Sequence, residues 1–80
     1  MFFVYVLQSQ VNGRYYIGST KDVAQRLAQH NSGINKSTRY VRPWTLMFTE
    51  NFATLAEARR REQAIKAWKS PEYMKRVLGL

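Results

Sequence analysis

Five side chains in this 80-residue sequence combine reactive type with suggestive position: Tyr5, Tyr16, Arg26, His30 and Glu62. Glu62 is the most informative. Leu55, Ala58, Ile65 and Trp68 recur at helical spacing, and Glu62 falls on their stripe, seven residues after Leu55 and three before Ile65. An unpartnered carboxylate on the core-facing side of a helix costs on the order of several kcal/mol, or neutralises itself through a raised pKa. Glu62 therefore calls for a metal ion, a salt bridge to Arg26 or a neighbouring arginine, or a hydrogen-bond network, and its position does not choose among these. Arg26 and His30 stand four residues apart on one helix face. Such a pair can hold a phosphate, the arginine as a fixed charge and the histidine as donor or proton carrier. A solitary histidine is, taken alone, more often a packed or surface residue. Tyr5 and Tyr16 fall on neighbouring predicted strands, where plain cross-strand packing also accounts for a tyrosine pair.

The elements that must position these residues can be read in order. Phe2 to Leu7 is β-branched and aromatic, and Arg14 to Gly18 follows after a polar stretch, so the two form a hairpin and run antiparallel. Asn12-Gly13 predicts a tight turn, because both residues tolerate positive φ. Val23 to Asn31 reads as a helix, with Ser19, Thr20 and Asp22 as cap candidates and Gly33 just past its end. Ile34 to Pro43 has no period and reads as a long basic loop. Trp44 to Thr49 alternates large and polar residues as a third strand. Thr54 and Glu57 form a capping box that opens a helix running to about Lys69, and Ser70-Pro71-Glu72 opens a short last helix ending near Gly79. The order β-β-α-β-α-α predicts an α+β fold, a small three-stranded sheet covered by helices, as one domain over residues 1–80.

Composition narrows the function. Thirteen Lys and Arg against five Asp and Glu leave a formal net charge of +8 and a pI near 10.3. Eight of the basic residues are Arg, whose fork of donors suits phosphate oxygens, so nucleic acid is the leading partner and an anionic membrane surface comes second. The 45% hydrophobic content excludes a disordered chain of this charge, because it supplies the large side chains that a core needs. Cysteine is absent, which excludes disulfides and thiolate metal sites. The apolar run Met1 to Leu7 lacks a basic leader and is too short to span a bilayer, so a cytoplasmic protein without a membrane partner is expected.

Taken together, Phe3-Val4-Tyr5, then Tyr16-Ile17-Gly18 with its tyrosine eleven residues on, then Arg26, His30 and Glu62, resemble the signature of the GIY-YIG nucleases. More narrowly, the chain is similar to the small stand-alone GIY-YIG proteins of bacteria, and the similarity runs from Phe3 to about Trp68. The resemblance implies a metal-dependent DNA endonuclease that hydrolyses phosphodiesters. Glu62 would hold one divalent cation, Mg²⁺ first and Mn²⁺ second, with no small-molecule cofactor. One of Tyr5 and Tyr16 would help deprotonate the attacking water while the other positions it. An ordinary Tyr pKa near 10 makes that role dependent on a nearby cation. Arg26 would stabilise charge on the phosphate, and His30 would hold a phosphate or a tyrosine oxygen. Some members carry a lysine after the second motif, where this chain has Ser19.

The basic residues Lys21, Lys36, Arg39, Arg42, Arg59, Arg60, Lys66 and Lys69 are expected to contact the DNA backbone, which gives salt-sensitive affinity and low sequence specificity. Tyr40, interleaved with the cations of the loop, can stack on unpaired bases, so single-stranded or branched DNA is the expected substrate. The competing reading is a non-catalytic nucleic-acid-binding module on the same scaffold. A protein-interaction domain is a third, and it leaves Glu62 unexplained.

Overall fold

The computed structural model describes residues 1–80. Strand β1 (Phe2–Ser9) lies between its two antiparallel partners, β2 (Tyr15–Thr20) and β3 (Trp44–Phe52), so the sheet order is β2-β1-β3. Helix α1 (Val23–Ser32) covers one face. Helices α2 (Leu55–Trp68) and α3 (Pro71–Leu78) cover the other. The predicted α+β order is the observed one, with each strand one to three residues longer than its apolar run suggests.

Alternation along β1 divides the core. Val4 and Val6 pack with Ala58, Ile65 and Met74, whereas Tyr5 and Leu7 face the opposite way, against Trp44, Tyr16, Val23 and Leu27. A β-bulge between Val6 and Leu7 shifts the register against β3. The helix ends follow the sequence signals. Asp22 accepts from the Gln25 amide at 3.0 Å, Thr54 from Glu57 at 3.2 Å and Ser70 from Tyr73 at 3.2 Å. The Thr54 hydroxyl donates a hydrogen bond to the Glu57 carboxylate at 3.0 Å, and the carboxylate does not close the box on the Thr54 amide.

Two expectations are corrected. The β1–β2 connection is a five-residue loop rather than a two-residue turn. Its ends are tied by Ser9 N–H to Arg14 O at 2.9 Å, and only Gly13 has a positive φ, of 74°. The Ser9 hydroxyl accepts from the Val11 and Asn12 amides, which stabilises this wider path. The segment after α1 is not all loop either. Arg39–Val41 forms a 3₁₀ turn, fastened where Ser9 Oγ donates to Val41 O at 2.6 Å and Trp44 Nε1 donates to Thr38 O at 3.0 Å.

Candidate active site

Because β2 is an edge strand, the two helical layers meet beside it, and the reactive residues gather there. On the α1 face, the Tyr5 and Tyr16 rings stack with centroids 6.2 Å apart, and the His30 ring lies 4.6 Å from that of Tyr16. The Tyr5 hydroxyl is 3.3 Å from His30 Nε2, and His30 Nδ1 is 3.0 Å from Thr38 Oγ1. Thr38 Oγ1 in turn donates to Asn35 O at 3.5 Å, so its lone pair faces a protonated Nδ1 and leaves Nε2 to accept the Tyr5 proton. His30 is 1% exposed and both ring nitrogens are engaged, so it holds a tyrosine oxygen and cannot reach a phosphate directly. Thr38 had no motif to mark it; its part in orienting the imidazole is visible only in three dimensions.

Burial, and secondarily the Arg26 charge, lower the His30 pKa below its ordinary 6.5. In the unfolded chain the imidazole therefore takes up its proton first as pH falls. The resulting stability is whole above about pH 6.5 and declines as the solution is acidified below it. Urea midpoints at pH 8 and pH 5 should differ in that direction, and in His30→Gln the difference should shrink.

Tyr5 is 2% exposed. Its pKa is pushed up to about 12, by burial first and by Tyr16 second, against the opposing pull of Arg26. Tyr16, by contrast, is only half-buried, and its hydroxyl makes no hydrogen bond within the protein. Gly18 explains the fit of Tyr5. It pairs with Tyr5 across the strands, and a Cβ at Gly18 would lie 2.6 Å from the Tyr5 hydroxyl oxygen and 2.8 Å from Cζ. Gly18→Ala should therefore destabilise the fold by about 1–3 kcal/mol, seen as a lower Tm, and should change the tyrosine near-UV circular dichroism. An unchanged Tm and spectrum would mean that the ring has room after all.

Glu62 is not in the core. It sits at the border between the apolar stripe of α2 and a basic stripe of Arg59, Lys66 and Lys69, with 13% of its side chain exposed. Ser19 Oγ donates to Oε1 at 2.6 Å and Lys66 Nζ donates to Oε2 at 2.6 Å, so the partner is neither Arg26 nor another arginine. An amine does reach this point, from α2 rather than from the position that Ser19 occupies. Burial pushes the Glu62 pKa upward, but the hydrogen bonds from Lys66 and Ser19, with the charges of Lys66 and Arg59, hold it below the usual carboxylate value.

The predicted backbone contacts separate into two regions. Lys21, Arg26 and Arg59 line one groove beside Ser19. Lys66 and Lys69 line another on the far side of Glu62. Arg60, two residues from Glu62, is about 200° round the helix and faces away from the carboxylate. Arg39 and Arg42 stand at the far end of α1, where Arg42 packs against Gly33 and donates to the Arg39 carbonyl at 3.1 Å. Lys36 and Tyr40 are exposed in that same segment, with the Arg39 guanidinium 5.1 Å from the Tyr40 ring centroid.

A family profile described as the GIY-YIG catalytic domain matches residues 1–76. The chain belongs to the GIY-YIG family. Similar proteins include a UPF0213 protein of Halobacterium salinarum, 48% identical over 67 residues, which span 82% of this chain and 86% of that one. A UPF0213 protein of Streptococcus pneumoniae is 41% identical over 73 residues, 88% of this chain and 71% of that one. The solution NMR structure of a UPF0213 protein from Bacillus halodurans superposes with a TM-score of 0.61 at 32% identity, covering 99% of this chain and 84% of that one. The GIY-YIG architecture of three antiparallel strands and three helices is thus shared by a solved structure. No helix is long and apolar enough to cross a membrane.

Proposed function

We propose that this GIY-YIG domain is a metal-dependent endonuclease that hydrolyses DNA phosphodiesters with low sequence specificity and acts on single-stranded or branched DNA. The observation that carries this reading is Glu62, an acid held by Ser19 between two cation-lined grooves. The donor set fits a hard divalent cation, Mg²⁺ before Mn²⁺. Mg²⁺ needs only one or two protein carboxylates and keeps waters and substrate phosphates for its other positions. His30 has no nitrogen to spare and no cysteine exists, so a softer-ligand site is disfavoured. Glu62 would hold the ion, displacing the Lys66 ammonium from Oε2. When bound, the metal would polarise the phosphoryl oxygens and acidify a water.

The remaining steps belong to this chain's side chains. Arg26 is exposed on the groove beside Ser19 and would balance the charge that builds on the phosphate. Tyr16, whose hydroxyl has no partner within the protein, would orient the attacking water. Tyr5 already donates to a neutral imidazole, so it can take that water's proton only while releasing its own to His30 Nε2. His30 is the proton acceptor in that transfer, and Thr38 is the residue that positions it.

The short Lys66–Glu62 ion pair favours a second reading, because it satisfies the acid without a metal. On that reading the scaffold binds nucleic acid without cutting it. Incubation of the protein with end-labelled single-stranded, duplex and flapped DNA, in Mg²⁺ or in chelator, separates the two. Metal-dependent products supports the nuclease; salt-sensitive binding with no product under any metal supports the binding module.

A further inference from the structure

The groove beyond Glu62 has no counterpart in the catalytic roles above. It lies between the β1–β2 loop, the end of α2 and the start of α3, with a volume of about 420 Å³. The exposed Arg14, Lys66 and Lys69 form its rim, the apolar side chains of Ile65 and Met74 lie beneath, beside Tyr15 and Ile17, and no carboxylate lines it. We propose that this groove is a nucleotide subsite: it seats the nucleotide next to the one being cut, phosphate on the three cations and base on the apolar floor. The inference rests on the nucleic-acid reading of the adjoining site and adds to it a second place where the strand is held.

Three observations favour this occupant. The cationic rim and apolar floor, with the Tyr15 side chain among the lining, match the two chemistries of a nucleotide, a phosphate and a flat base. The groove is continuous with the candidate active site. Tyr15 and Ile17 share their face of β2 with Ser19, at about 6.6–6.8 Å per alternate residue, so the floor runs directly towards the hydroxyl that holds Glu62. Lys66 belongs to both places, lining the groove and capping Glu62 Oε2. The groove of Lys21, Arg26 and Arg59 lies on the other side of Ser19. A strand laid along the free edge of β2 would thus pass from one cation cluster to the other across Glu62.

The test is an NMR titration of the full chain with a thymidine hexanucleotide in chelator, where no cutting can occur. Saturable shifts of the Ile17, Ile65 and Met74 methyl groups are expected. An Arg14→Ser, Lys69→Asn double variant, whose asparagine tolerates the left-handed φ of 54° at position 69, should lose them. Its log–log salt slope should also shallow by about 1.4, two contacts at about 0.7 each for single strands. Shifts confined to the Arg26 side, or a hexaglutamate peptide that moves the same methyls as strongly, would overturn the nucleotide subsite. The nuclease reading fails separately. Groove shifts without cleavage under any metal leave the subsite standing, whereas cleavage without groove shifts removes the subsite alone.

Discussion

Arg26→Ala should lower single-turnover DNA cleavage by about 10²–10³-fold, the usual cost of removing one preorganised donor from a developing oxyanion. The guanidinium is exposed and makes no ion pair in the free protein, so the substitution removes little from the fold. An unchanged Tm with a reduced rate is therefore the expected signature. Arg26→Lys should recover only part of the rate, because an ammonium retains the charge but not the planar fork. Cleavage at the parent rate in Arg26→Ala would move the phosphate to Arg59 or Lys21, the other cations of that groove.

Glu62→Gln should have the larger effect. Loss of a Lewis acid worth about 4 kcal/mol corresponds to about 10³-fold in rate, and the metal dependence of the residual activity should vanish with it. The amide keeps an oxygen for Ser19 and an isosteric side chain, so the architecture survives. The lost pair with Lys66 is a half-exposed i,i+4 contact, worth under about 1 kcal/mol. Binding of Mn²⁺, read as paramagnetic broadening of amides near Ser19 and Glu62, should disappear in the variant. Broadening that persists would place the ion elsewhere and remove the metal role from Glu62. Because the native carboxylate has a lowered pKa, its pairing contributes above the ordinary carboxylate range and is lost as pH falls through the folded value. In the glutamine variant that acid-side component should be missing.

Much of this arrangement was legible in the chain because local rules and burial agree. Alternation put Tyr5 and Leu7 on one face of β1, and the antiparallel register carried Tyr16 and Gly18 to the same face. Capping residues marked all three helices. What could not be read depends on long-range geometry. The helical stripe suggested that Glu62 points into the core, yet a helix packed on a sheet edge turns the border of its stripe towards the rim, where Ser19 and Lys66 wait. The five-residue hairpin loop depends on the Ser9 hydroxyl reaching two amides, and Asn12-Gly13 alone pointed to a tighter turn. Thr38 and Arg14 carried no motif. Their significance comes from the His30 nitrogen and the groove that each happens to meet.

The hydrogen bond from Ser19 to Glu62 joins residues 43 positions apart in the chain, across the sheet edge and onto a helix that follows every strand. The acid therefore acquires its place only when α2 docks, and docking of α2 is also what completes the Val4–Val6–Ile65 core. On the nuclease reading, competence to cut and the global fold are then gained and lost in a single cooperative transition. On the same reading, a nascent chain still short of α2, or a damaged one that has shed it, would carry the positive charge to cling to nucleic acid and lack the means to break it.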